Sequence, residues 1–69
     1  MTVHTLIVTG LRCAACGMLV DEVLEDLPGV LASRTSVRTG RTVVTTDGTT
    51  DAETLAGAVT AHGYPTRPG

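Results

Sequence analysis

Apolar and β-branched residues crowd into residues 3–9 (V-H-T-L-I-V-T) and the run closes at Gly10, a pattern that predicts a first strand. From Cys16 onward the apolar positions recur at 16, 20, 23, 24 and 27, while Asp21, Glu22, Glu25 and Asp26 fall off that stripe. This spacing predicts an amphipathic helix, ended by Pro28-Gly29. Residues 30–38 alternate imperfectly, Thr39-Gly40 supplies a turn, and residues 41–46 (R-T-V-V-T-T) complete a hairpin. Asp47-Gly48 is a hairpin-type dipeptide too. Thr50-Asp51-Ala52-Glu53 nevertheless reads as a capping box, and Leu55, Ala56 and Val59 then repeat at helical spacing, so a second helix is expected there, stopped by Gly63. Residues 64–67 form a short last strand, placed at a sheet edge because Pro65 and Pro68 lack the backbone donor an inner strand needs.

The order is βαββαβ, which predicts an α+β, ferredoxin-like sandwich: a four-stranded antiparallel sheet with two helices on one face. No repeat, linker or low-complexity tract interrupts it, so residues 1–69 are expected to form a single domain. A chain of this length buries only about 60% of the surface its unfolded form exposes. With no Trp or Phe and Tyr64 as its one aromatic, its interior must be aliphatic.

The formal net charge is −2 and every basic residue is an arginine, which gives no electrostatic footprint for nucleic acid. No apolar run approaches the roughly 20 residues of a membrane span, and Met1-Thr2-Val3-His4 lacks the charged start of a signal peptide. The expectation is a free-standing cytoplasmic chain, not inserted in a membrane. In a reducing compartment a C-x-x-C pair points to metal binding or catalysis more than to a structural disulfide.

Both cysteines, Cys13 and Cys16, sit in Gly10-Leu11-Arg12-Cys13-Ala14-Ala15-Cys16-Gly17-Met18, where the strand pattern gives way to the helical one. Free backbone N–H groups and the positive end of the helix dipole favour thiolates there, and a thiolate is both nucleophile and metal ligand. Four readings compete. A structural zinc site wants four ligands, and His4 and His62 lie outside the usual spacing. A thioredoxin-like dithiol oxidoreductase shares the motif, but its order of elements differs and its fold needs a longer chain. Two cysteines that merely pack suit a glycine-flanked loop poorly. The fourth reading makes two thiolates the whole protein ligand set for a soft ion, with Cu(I), or Hg(II) by the same softness, preferred over oxygen-seeking ions.

Three landmarks in register, Gly10-Leu11-Arg12-Cys13-Ala14-Ala15-Cys16, Leu27-Pro28-Gly29-Val30 and Ala61-His62-Gly63-Tyr64, resemble the heavy-metal-associated domain over nearly the whole chain. That family occurs in copper metallochaperones, in metal-exporting P-type ATPases and in mercury-resistance binding proteins. The resemblance implies a metal carrier, not an enzyme, with Cys13 and Cys16 as ligands and Tyr64 beside them. It implies transfer to a metal-transporting P-type ATPase or another metal-binding domain, with an apo monomer and a metal-bridged dimer as the oligomeric states. Leu11 stands where the family usually has an inward-packing Met and can replace it by volume. Arg12 replaces a Thr or Ser, and zinc and cadmium exporters often carry Asp there, so this cation argues against Zn(II). Ala14-Ala15 and Pro65 look more like the mercury-binding members, which keeps Hg(II) as the alternative to Cu(I).

His62 ends the second helix, where its expected role is to face the helix's negative end; a third metal ligand is the alternative. His4 reads as a strand residue, and Met18 as packing or surface. Ser33, Thr35 and Thr46 take strand positions that the family fills with apolar groups, which lowers the expected stability. Asp21, Glu22, Glu25 and Asp26 form an acidic outer face behind the cysteine loop, either merely solvated or docking on a basic patch of a receiving domain.

Overall fold

The computed structural model describes residues 1–69 and runs β1 (Thr2–Val8), α1 (Ala14–Glu25), β2 (Val30–Ser36), β3 (Arg41–Thr46), α2 (Ala52–Ala61) and β4 (Thr66–Pro68). The strands form one antiparallel sheet in the order β2-β3-β1-β4, the ferredoxin-like arrangement, with β4 on an edge; it starts at Thr66, not at Tyr64, because Pro65 stays outside it. No helix is long and apolar enough to cross a membrane.

Alternation along the strands sends Leu6 and Val8 of β1 and Val44 of β3 toward the helices. There they meet Val20 and Leu24 of α1 and Leu55, Ala56 and Val59 of α2 in a core of eight buried residues. Burying a Val or Leu side chain contributes roughly 1.5–3 kcal/mol, so so small an aliphatic core leaves a thin margin against chain entropy. Two fully buried hydroxyl residues, Thr42 and Thr46, stand among these apolar groups.

Several boundaries differ from the sequence expectation, each for a physical reason. Helix α1 begins at Ala14, not at Cys16, because Cys13 takes the extended N-cap conformation with φ −155°. It ends at Glu25, short of Pro28, and Leu27 closes a tight turn by donating its N–H to the Leu24 carbonyl at 3.0 Å. The N-cap of α2 is Asp51, whose carboxylate accepts from the Thr54 amide at 2.8 Å. Thr50, expected to cap, instead donates its hydroxyl to the Pro28 carbonyl at 3.0 Å and ties the α2 entry to the loop after α1. Asp21 is half-buried and hydrogen-bonded to β2, so the outward acidic face reduces to Glu22, Glu25 and Asp26.

Candidate metal centre

The cysteine loop is held at both ends. Where β1 leaves the sheet, the Val8 amide donates to the Gly40 carbonyl at 2.7 Å. The amide and the hydroxyl of Thr9 then both donate to the Pro65 carbonyl, each at 2.9 Å, clamping the loop to the segment between α2 and β4. Gly10 turns with φ +85°, and a Cβ there would lie 3.9 Å from the Tyr64 ring, so the ring lies alongside the loop. Leu11 is half-buried and packs against the core, which fixes the loop at its first residues. Arg12 and Cys13 are exposed.

The two sulfurs are free thiols 3.8 Å apart. A disulfide needs about 2.05 Å, and a linear S–metal–S unit about 4.6 Å. At metal–sulfur bonds of about 2.3 Å the observed separation would subtend about 110°, and a linear unit would need the sulfurs to part by about 0.8 Å. Cys13 is the sulfur free to move, since its side chain makes no capping bond to the helix. Cys16 is fixed in the first turn, its amide donating to the Cys13 carbonyl at 3.0 Å.

The loop also favours the anion of Cys16. Hydrogen bonding from the Arg12 backbone first, then the Tyr64 hydroxyl and the Cys13 backbone, lowers this thiol from its ordinary value to about 7, against a smaller opposing effect of desolvation. Tyr64 is shifted reciprocally upward, chiefly by its interaction with Cys16.

The other candidates lie apart. His62 is the exposed C-cap of α2 and borders a groove between the helices with Leu19, Glu22, Val23 and Asp26. No three His, Cys, Asp or Glu side chains converge into a metal-binding group, so His62 does not join the thiols as a preformed ligand. Met18 is 66% exposed on α1. His4 sits in β1 with its Nε2 buried and unpartnered, on the helix-facing side with Leu6 and Val8.

Against known proteins, the model of the heavy-metal-associated domain matches residues 5–65. The chain belongs to this family. This heavy-metal-associated domain is 38% identical over 62 residues to a copper-exporting P-type ATPase of Staphylococcus haemolyticus (strain JCSC1435). The match covers 88% of the chain, which spans only 8% of the ATPase's length. Its structure is similar to a copper-binding domain from HMA7, a P-type ATPase, with a TM-score of 0.93, 25% identity and coverage of 99% and 93% of the two chains. It is also similar to oxidised MerP from Ralstonia metallidurans CH34, with a TM-score of 0.88, 31% identity and coverage of 97% and 94%.

Two residues that build this domain's loop escaped the sequence reading. Gly17 is buried directly after Cys16, and a Cβ there would come within 2.8 Å of the Val37 methyl, so glycine lets the start of α1 approach the β2–β3 hairpin. Its one sequence signal is a glycine inside a helical stretch, next to the motif. Thr9, whose two hydrogen bonds to the Pro65 carbonyl hold the segment that carries Tyr64, has no signal beyond strand propensity.

Proposed function

We propose that this heavy-metal-associated domain carries Cu(I) on Cys13 and Cys16 and passes it to a partner by thiolate exchange. The observation that carries the reading is a pair of free sulfurs 3.8 Å apart on a surface loop, with Cys16 lowered to about 7 and no third donor assembled beside them. Two soft ligands and nothing else suit an ion content with low coordination, and Cu(I) is such an ion. The likeness to a copper-exporting ATPase and to a copper-binding ATPase domain supports copper. Arg12, the exposed cation beside Cys13, offers no oxygen ligand for Zn(II).

In transfer, a partner thiolate bonds to the ion while the Cys13 sulfur, exposed and uncapped, lets go; Cys16 follows when a second partner thiolate arrives. No electron changes hands, and each released thiolate either keeps its charge or takes a proton from water. The partner is a metal-transporting P-type ATPase or another metal-binding domain. The chain acts in the reducing cytoplasm as a binding module without catalysis, monomeric when metal-free, with a metal-bridged pair as the encounter form.

Competitive titration of the reduced protein with Cu(I), Hg(II) and Zn(II), with stoichiometry read by mass spectrometry, tests this. One tightly held Cu(I) per chain is expected. Preference for Zn(II), or absence of metal binding together with turnover of a disulfide substrate, would overturn it.

A further inference from the structure

One edge of the sheet is closed and the other is open. β4 is three residues long and ends in Pro68, so it offers little for another strand to pair with. β2 is seven residues long, without proline or acidic side chains, and is the outer strand on the other side; its register shifts between Val30 and Ala32 and is regular from Ala32 to Ser36. None of the backbone hydrogen bonds outside the helices and ladders involves residues 31–35, so the outward-facing N–H and C=O groups of this edge are unpartnered. A row of this kind is a template for an added strand.

Charge decides which strand fits. Ser33 and Thr35 turn toward α1, where both bond Asp21, so Arg34 between them projects from the opposite, open face. The register pairs Arg34 with Val43 and Ser36 with Arg41, making Arg34 and Arg41 diagonal neighbours about 7–8 Å apart on that face. No strand carries an Asp or Glu, and the one carboxylate that shares a surface groove with Arg34 is Glu25 at the end of α1, which leaves two arginines against one acid at this edge. A second copy pairing antiparallel through its own β2 about Ser33, the strand's centre, would set Arg34 against the copy's Ala32 and the two Arg34 side chains on a diagonal, adding further like charge to a face whose strands carry no carboxylate.

We propose that the free edge of β2 takes an extended acidic segment of a partner protein as an added strand, with a carboxylate on the open face beside Arg34 and Arg41. The surface is separate from the cysteine loop and does not depend on its metal.

The test uses the metal-free, reduced full chain and two synthetic extended peptides of alternating Thr and Glu or alternating Thr and Lys, followed by NMR. The Glu peptide is expected to shift the amides of residues 31–35 and slow their hydrogen exchange. Arg34→Glu should weaken it about fivefold, the size of one or two exposed charge pairs, and should let the Lys peptide bind instead. Arg41→Gln, one strand further in, should weaken it less and leave the fold unchanged. The proposal fails if the β2 amides do not respond to the Glu peptide, if both peptides bind the unsubstituted chain alike, or if the same amides shift with protein concentration alone, which would make a second copy the occupant.

Discussion

The Asp21 carboxylate accepts the Thr35 hydroxyl at 2.7 Å, tying α1 to β2. The same oxygen accepts from Ser33 at 2.8 Å. Because the Thr35 hydrogen is committed to Asp21, the 2.9 Å contact between Thr35 and Thr42 must be donated by Thr42, which is fully buried. Three hydroxyls thus converge on one carboxylate, two directly and one through Thr35, where a purely apolar seam would otherwise close the sandwich.

Asp21→Ala should therefore cost about 2–3 kcal/mol, since it strands partly buried donors that had a charged acceptor. Glu22→Ala, one residue on and exposed, should stay within about 0.5 kcal/mol. Urea unfolding of the two variants checks the contrast, and equal midpoints would mean the Asp21 bonds add nothing net.

This carboxylate marks how far the sequence could be read. Strands of β-branched residues, two helical stripes and a cysteine pair at their junction were legible, because each is a local pattern. Periodicity placed Asp21 off the apolar stripe correctly but could not see that Ser33 and Thr35, twelve and fourteen residues away, would turn it inward. Thr50 and Asp51 are both good caps, and only the position of the Pro28 carbonyl sends Thr50 elsewhere. The same distance effect hid Gly17, whose need for a bare Cα is set by Val37 in the hairpin.

Glycine substitutions in the two helices should therefore have opposite signs. At Gly57 of α2 an added Cβ meets nothing within 4 Å, so Gly57→Ala should stabilise by about 0.5–1 kcal/mol through helix propensity. At Gly17 the 2.8 Å approach to Val37 outweighs that gain, and Gly17→Ala should destabilise by about 1–2 kcal/mol. Melting curves of both variants would settle it.

The depressed Cys16 thiol links stability to pH. Its folded value of about 7 lies below the unfolded value, so the unfolded chain binds more protons between the two. Stability of the metal-free protein from this group is present above the unfolded thiol value and is lost as pH falls through about 7. Tyr64→Phe removes one donor to the thiolate and should move the Cys16 alkylation midpoint to higher pH; an unmoved midpoint would remove Tyr64 from the site.

If both thiolates hold the cargo, Cys13→Ser or Cys16→Ser should reduce Cu(I) affinity by orders of magnitude while the metal-free fold stays near intact, as both residues lie outside the core. Cargo that binds only the folded chain also adds RT ln(1 + [L]/Kd), about 4 kcal/mol at a thousandfold excess over Kd. Melting temperature should rise with Cu(I) in the unsubstituted protein and stay flat in the double serine variant.

The remaining acidic face bears on how a partner approaches. Glu22 and Asp26, one helical turn apart, border the groove between α1 and α2 together with Leu19, Val23, Leu27 and His62. An apolar floor with an acidic rim suits a partner that is basic around an apolar contact. Exposed charges of this kind are screened within about 8–10 Å at physiological salt, so they should act on encounter rate more than on affinity. If the domain passes Cu(I) to a receiving domain as proposed, that transfer should slow as salt rises. It should slow comparably for the paired change Glu22→Gln with Asp26→Asn, with metal affinity unchanged because neither side chain joins a metal-binding group with the thiols. Stopped-flow transfer measured at two salt concentrations separates the possibilities: rates indifferent to salt and to both substitutions would mark these carboxylates as no more than solvated surface.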